Sequence, residues 1–268
     1  MNNQYNSRFL LNAMIVSLAI LLIFGCADGS INVSNSIKID STNSDISSPV
    51  AQHYAEDTVP IEIELEKQTN FLLESISGDI KIEGLEDSNT IIINAQKRVG
   101  SFSITDAQNH LEDLQIEIAE NDDEIVITSQ HEDSSDEVIM EIHYSILVPS
   151  DMTITINNIT GDIFLTDVQT DVMIDLVDGH IDAILPMQDD TAVQMAVVDG
   201  GIDLKIPSQV SAFLDASVIN GSVEIMGLIV KPSEQMEDSL TGILGDGSGS
   251  INLHVVNGKI NIEGMDLP

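Results

Sequence analysis

The 268-residue sequence contains 45 acidic and 9 basic residues, which gives a formal net charge of −36 at neutral pH. A charge of this sign repels nucleic-acid phosphates and therefore excludes nucleic acid as a partner. Hydrophobic residues make up 43% of the chain, which excludes disorder throughout, and the 3% of aromatic residues predicts a core of Ile, Val, Leu and Met.

Residues 1–25 have the pattern of a signal peptide, with one cation at Arg8 and an apolar run from Leu10 to Phe24. A run of roughly 15 residues is too short to cross a hydrocarbon layer of about 30 Å. It ends at Ile23-Phe24-Gly25-Cys26, which resembles a bacterial lipobox. The resemblance implies cleavage before Cys26, diacylglycerol on its sulfur and usually a further acyl chain, such as palmitate, on its new amino group, which would anchor the chain in a membrane. Cys26 is the only cysteine, so an internal disulfide is excluded, and a free thiol after an ordinary signal peptide is the alternative.

Residues 26–58 follow as an acylated cysteine and a flexible tether, because Ser, Asn and Asp are frequent and no long apolar run occurs. Within this segment Ile31–Ile39 alternates weakly and could add an edge strand. Residues 59–268 then form one predicted domain. Its first part contains a helix that starts near Thr105-Asp106 and ends by Leu114. The strands predicted there are Ile61–Leu65, Thr90–Ala95, Leu114–Ala119, Glu124–Ser129 and Val138–Val148.

A repeat begins in the second part of this domain, where apolar residues alternate on both sides of an Asp-Gly or Asn-Gly pair. Counted from the glycine, positions −7, −5, −3, +2 and +4 are apolar, which predicts strand, turn, strand with one buried face. Asp and Asn before glycine suit a tight turn. The four glycines are Gly179, Gly200, Gly221 and Gly258, and weaker copies surround Gly78 and Gly161. The residues from Pro232 to Leu240 interrupt the spacing and predict a surface loop with a helical turn.

Taken singly, each glycine pair would predict an antiparallel hairpin, as in a β-sandwich. Several copies about 20 residues apart favour an all-β parallel solenoid in which each coil buries its apolar face on the next. A β-sandwich is the alternative fold.

The same residues resemble a known family, the bacterial putative-adhesin domain of unknown function. The resemblance is carried by Ile146-Leu147-Val148-Pro149, by the glycine turns into Ile163-Phe164-Leu165 and into Ile202-Asp203-Leu204, and by Gly258-Lys259-Ile260. It implies a β-solenoid similar to a single-stranded right-handed β-helix on cell-envelope proteins that often carry a lipid anchor. It implies no catalytic residue.

Three carboxylates form the candidate site that the repeat predicts. Asp182, Asp203 and Glu224 occupy position +3 in consecutive copies, on the face opposite the buried residues. If the coils stack in register, these carboxylates form an outward column about 4.8 Å apart. Such a column either takes up a cation, with calcium the best fit, or is a solvated acidic stripe. Asp178 and Asp199 would form a second, shorter column.

The sequence therefore predicts a non-enzymatic, lipid-anchored envelope protein, in the outer membrane if the organism has one, that binds a protein or polysaccharide partner. No catalytic residue and no cofactor is predicted, apart from calcium at the acidic column. The alternatives are a polysaccharide-acting β-helical enzyme, against which the absence of arginine from the repeat region argues, and an envelope-stress accessory protein.

Overall fold

A computed structural model describes residues 53–130, 138–188 and 190–266. Within these ranges fifteen β-strands dominate, and the short helix α1 (Ile104–His110) lies between β4 and β5. The strands are β1 (His53–Glu64), β2 (Asn70–Glu74), β3 (Ile80–Leu85), β4 (Thr90–Ser101), β5 (Gln115–Glu120), β6 (Glu124–Gln130), β7 (Ile139–Pro149), β8 (Thr153–Thr160), β9 (Ile163–Thr166), β10 (Val172–Ile184), β11 (Ala192–Pro207), β12 (Ala212–Met226), β13 (Val230–Gln235), β14 (Ser239–Leu244) and β15 (Gly249–Met265).

The predicted signal peptide, Cys26 and most of the predicted tether lie outside the described residues. β1 begins at His53, six residues before the expected start of the domain, so residues 53–58 are strand and not tether. No helix in the described ranges is long and apolar enough to span a membrane.

All fifteen strands belong to one sheet, which a line of glycines bends into two halves. The first half contains the strand segments before the glycines, in the order β5, β6, β2, β8, β10, β11, β15, β12, β14, β13. The second half contains the segments after them, in the order β1, β4, β7, β3, β9, β10, β11, β15, β12. The central pairs are parallel, and the antiparallel strands β1, β4, β5, β13 and β14 lie toward the ends. The predicted all-β solenoid is therefore confirmed.

The repeat glycines lie inside strands and not in turns between separate strands. β10, β11, β12 and β15 each run unbroken through their glycine, which is a register partner of the next glycine. At Gly200 and Gly258 φ is 143° and 147°, values that L side chains rarely adopt. A Cβ on Gly258 would stand 1.5 Å from the carbonyl oxygen of Gly200. Six glycines form this glycine ladder, in the spatial order Gly78, Gly161, Gly179, Gly200, Gly258 and Gly221.

One hydrophobic core fills the angle between the two halves. The apolar positions of the repeat form it, and Ile174, Ile202 and Ile260 are fully buried. In the weaker copies position −3 is polar, and its side chain is buried but hydrogen-bonded: Asn158 donates to the Gly78 carbonyl oxygen at 3.2 Å. The weaker copies therefore belong to the same ladder, although their strands are interrupted at the glycine.

The strand order differs from the order of the repeats in the sequence. β15, the last strand, lies between β11 and β12 and is parallel to both. The expectation that consecutive copies stack on each other is correct for β10 and β11 and wrong for β11 and β12.

The segment from Pro232 to Leu240 is also different from the expected loop with a helical turn. β13 and β14 form an antiparallel hairpin there, and β14 pairs with the start of β12. β13 lies at the edge of the sheet, and its register shifts between Pro232 and Glu234; edge strands and bulges are the places where a sheet tolerates proline.

The remaining strands agree with the predicted ones to within a few residues at most ends, although β4 continues to Ser101. Helix α1 is shorter than expected. Its N-cap is Ser103, whose side chain accepts a hydrogen bond from the Asp106 amide at 3.1 Å, and it ends at His110.

Candidate functional site

Outward side chains of the second half form a face, here called the polar face, that spans nine strands. Positions +1, +3 and +5 point outward because positions +2 and +4 are buried. The sheet register places the +3 residues of six strands in one row, in the order Lys81, Phe164, Asp182, Asp203, Asn261 and Glu224. The three predicted carboxylates are thus in this row.

Asn261 separates Asp203 from Glu224, which corrects the expected uninterrupted column. The cause is the insertion of β15 between β11 and β12. Only Asp182 and Asp203 are register partners.

Asp203 is the best-connected carboxylate of the polar face. Its Oδ2 lies 3.0 Å from Nε2 of His180, and its Oδ1 accepts a hydrogen bond from Nδ2 of Asn261 at 2.5 Å. The ring of His180 lies over Gly201, where a Cβ would stand 3.0 Å from ring atoms. Burial raises the pKa of Asp203, but the hydrogen bonds from Asn261 and His180, with the charges of His180 and Lys205, outweigh burial and lower this pKa.

The other two predicted carboxylates differ from Asp203 in their contacts. Glu224 pairs with Lys259, with Oε2 and Nζ 2.8 Å apart. Asp182 forms no ion pair within the described residues. Those residues also bring together no group of three His, Cys, Asp or Glu that could hold a metal ion. A calcium site and a solvated acidic stripe at this row both stay predictions.

Carboxylates at position +1 support the backbone beside the glycine ladder. Oδ1 of Asp79 accepts a hydrogen bond from the Asp162 amide at 3.0 Å, and Oδ1 of Asp162 accepts one from the His180 amide at 2.9 Å. At one end, the Asp79 amide donates to Nδ1 of His143 at 3.0 Å. Sequence reasoning missed this chain, although the recurring Gly-Asp-Ile at Gly78 and Gly161 signals it.

A second chain of side chains runs along position −1, on the other side of the glycines. Nδ2 of Asn220 donates to Oδ1 of Asn257 at 2.7 Å, and Nδ2 of Asn257 donates to Oδ1 of Asp199 at 2.6 Å. Asp199 and Asp178 are register partners, as the predicted shorter column requires. Both carboxylates are exposed, and neither forms an ion pair in the described part of the chain.

The outer face of the first half carries two carboxylates whose pKa values are shifted upward. Burial raises the pKa of Asp175. Burial also raises the pKa of Glu74, a hydrogen bond from Thr128 opposes the shift, and the charge of Glu124 adds to it. Register places Asn157 between Glu74 and Asp175, so the two carboxylates lie two strands apart, about 9.6 Å.

Comparisons with known proteins agree with this architecture. The profile of the Toastrack DUF4097 family matches residues 26–263. No curated protein matches the chain. A solved structure described as a putative cell adhesion protein from Clostridium sporogenes is 12% identical, with a TM-score of 0.56, and the match covers 79% of this chain and all of that one.

A putative adhesin from Bacteroides fragilis is also 12% identical, with a TM-score of 0.32 over 78% of this chain and 97% of that one. At these identities the first structure supports the fold alone.

Proposed function

Because the chain belongs to the Toastrack DUF4097 family, we propose that it is a non-enzymatic cell-envelope lipoprotein whose solenoid presents a rigid β-sheet surface to a binding partner. The observation that carries the proposal is the polar face. Nine strands present their outward side chains in one register, over a width of about 38 Å. A partner that recognises this face meets a preformed surface and does not need to order it.

The bonding of the ionisable groups supports a binding role over acid–base catalysis. On the polar face Asp79 and Asp162 hold backbone amides, Asp203 bonds to His180 and Asn261, and Glu224 pairs with Lys259. In these contacts the carboxylates hold neighbouring backbone and side-chain groups of the polar face in place.

The lipobox-like Cys26 supports the anchor, and the solved structure described as a putative cell adhesion protein supports a place at the cell surface. A lipid chain on Cys26 contributes about 0.8 kcal/mol per buried methylene, and two or more chains hold a protein stably on a membrane. The net charge of −36 would keep the body of the protein away from anionic headgroups and available to a partner.

Fractionation of cells that express the full chain tests this proposal. We expect the wild-type protein in the membrane fraction and accessible to added protease on intact cells, and the Cys26→Ala variant released from membranes. Ala27→Ser is the matched control and should stay in the membrane fraction. Wild-type protein found wholly in the soluble cytoplasmic fraction would contradict the proposal.

A further inference from the structure

The first half of the sheet has a stripe of apolar side chains on its outer face, next to the glycine ladder. Position −3 of each copy is buried, so position −2 points outward. In all six copies of the repeat, position −2 is β-branched. The apolar stripe consists, in spatial order, of Ile76, Ile159, Val177, Val198, Val256 and Ile219.

These side chains are accessible to a partner. Ile159 and Ile219 are 37% and 45% exposed, and the other four are partly exposed. At about 4.8 Å per strand the stripe is roughly 24 Å long. A contiguous apolar stripe of this length on a water-facing surface is more typical of an interaction site than of a surface that only contacts solvent.

Two carboxylates lie beside the apolar stripe on each side. Asp178 and Asp199 lie along one side at position −1, and Glu74 and Asp175 lie along the other side at position −4. Within the described residues none of these four carboxylates forms an ion pair. The polar face differs, because there Lys259 forms an ion pair with Glu224 and His180 forms a hydrogen bond with Asp203.

We propose that the apolar stripe is the docking site for an amphipathic cationic helix of a partner protein. A helix of about 16 residues covers 24 Å, and its apolar residues at i, i+3, i+4 and i+7 would lie on the stripe. Lys and Arg beside that apolar face would reach Asp178 and Asp199 on one side and Asp175 on the other. The inference rests on the proposed function and names the chemistry of the partner.

Charge complementarity excludes the other two occupants that an apolar stripe would suit. A second copy of this chain would bring the same unpaired carboxylates against each other. An anionic lipid surface would be repelled by them.

The test uses an 18-residue fluorescent peptide of Leu and Lys, designed as a helix with one leucine face, and the full chain purified in detergent. Fluorescence anisotropy should show saturable one-to-one binding. A peptide of the same composition in scrambled order, without a leucine face, should bind at least tenfold more weakly, and a Leu and Glu peptide should not bind.

Matched variants locate the peptide on the protein. The double variant Val177→Ser/Val198→Ser should raise Kd at least tenfold. Phe164→Ser/Ile184→Ser, which removes two outward apolar side chains from the second half, should change Kd less than twofold. Asp178→Asn/Asp199→Asn should weaken binding and reduce its salt dependence more than Glu62→Gln/Glu64→Gln, which removes the same charge from β1.

Equal Kd values for the scrambled and helical peptides, or an unchanged Kd in Val177→Ser/Val198→Ser, would overturn the inference, because binding would then follow net charge alone. No saturable binding would also overturn it. Melting curves verify that each variant is folded. Failure of the lipid anchor would leave these binding results unchanged, so the two proposals fail separately.

Discussion

The backbone of Gly258 lies against that of Gly200 so closely that a Cβ on Gly258 would stand 1.5 Å from the Gly200 carbonyl oxygen. Neither backbone can move away without breaking the parallel pairing of β11 and β15. We therefore expect Gly258→Ala to lower the free energy of unfolding by about 3 kcal/mol or more, from strained φ and steric clash together.

Gly247→Ala is the matched control for this prediction. Gly247 also has a positive φ, 82°, but the nearest atom to its Cβ would be a side-chain carbon of Ile243 at 3.3 Å. This variant should lose only about 1 kcal/mol. Urea denaturation measures the free energy of unfolding of both variants. Equal losses would show that the close backbone contact at the glycine ladder does not make Gly258→Ala more destabilising.

The alternation of buried and outward side chains along β11 predicts opposite outcomes for substitutions at Ile202 and Lys205. Ile202 is fully buried, whereas Lys205 is half-buried, with Nζ 3.7 Å from Oε2 of Glu263. Ile202→Asp buries an unpaired charge and should cost several kcal/mol. Lys205→Ala removes a surface ion pair and should cost about 0.5 kcal/mol or less. Equal melting temperatures for the two variants would reject this register.

Asp203 should make the stability of the protein sensitive to acid. Its pKa is lower in the folded state than in the unfolded chain, so its contribution is present above the ordinary Asp pKa of about 3.9. That contribution is lost as pH falls through the lowered value. Thermal melts from pH 6 to pH 3 should therefore show a smaller loss of stability in Asp203→Asn than in the wild type. An equal loss of stability on acidification in the wild type and in Asp203→Asn would show that Asp203 does not cause the acid sensitivity.

Asp175 should have the opposite effect, because burial raises its pKa. The stabilisation of its protonated form is present below the ordinary Asp pKa and is lost as pH rises through the raised value. At neutral pH the ionised carboxylate thus costs stability, and Asp175→Asn should melt at a higher temperature than the wild type. The difference should shrink on acidification; a variant less stable than the wild type at pH 7 would contradict the prediction.

Sequence alone could predict the buried positions but not the order of the strands. Period-two alternation around each glycine identifies Ile202 and Ile260 as core residues. If the strand were shifted by one residue, all of its apolar side chains would face solvent. The same pattern cannot choose a neighbour for β12, since Val218 could face Val197 or Val255 equally well. In the sequence, the β13–β14 hairpin separates β12 from β15. This hairpin has no repeat pattern, so the repeat does not predict where β15 joins the sheet.

The candidate sites show the same division. Position +3 could be predicted as outward from the repeat, so Asp182, Asp203 and Glu224 are all on the polar face. Their separation by Asn261 follows from strand order and could not be predicted. An Ile or Val occurs two residues before every ladder glycine, as at Val177 and Val198, so the sequence contained the signal for the apolar stripe. Period-two alternation, however, predicts only that these positions face solvent.

Calcium binding by Asp182, Asp203 and Glu224 is open to a direct comparison of salts. Lys259 and His180 already pair with two of the three carboxylates. We expect calcium and sodium at equal ionic strength to raise the melting temperature equally, as screening predicts. A larger rise in calcium that Asp203→Asn abolishes would instead establish a calcium site.

Intact-mass spectrometry of the mature protein tests the proposed envelope lipoprotein most directly. We predict a chain that begins at Cys26 and carries the added mass of a diacylglycerol, in most cases with a further acyl chain on the amino group. The Cys26→Ala variant should lack that added mass. A wild-type chain with an unmodified amino terminus at another position would contradict the lipid anchor and the presentation of the solenoid from a membrane.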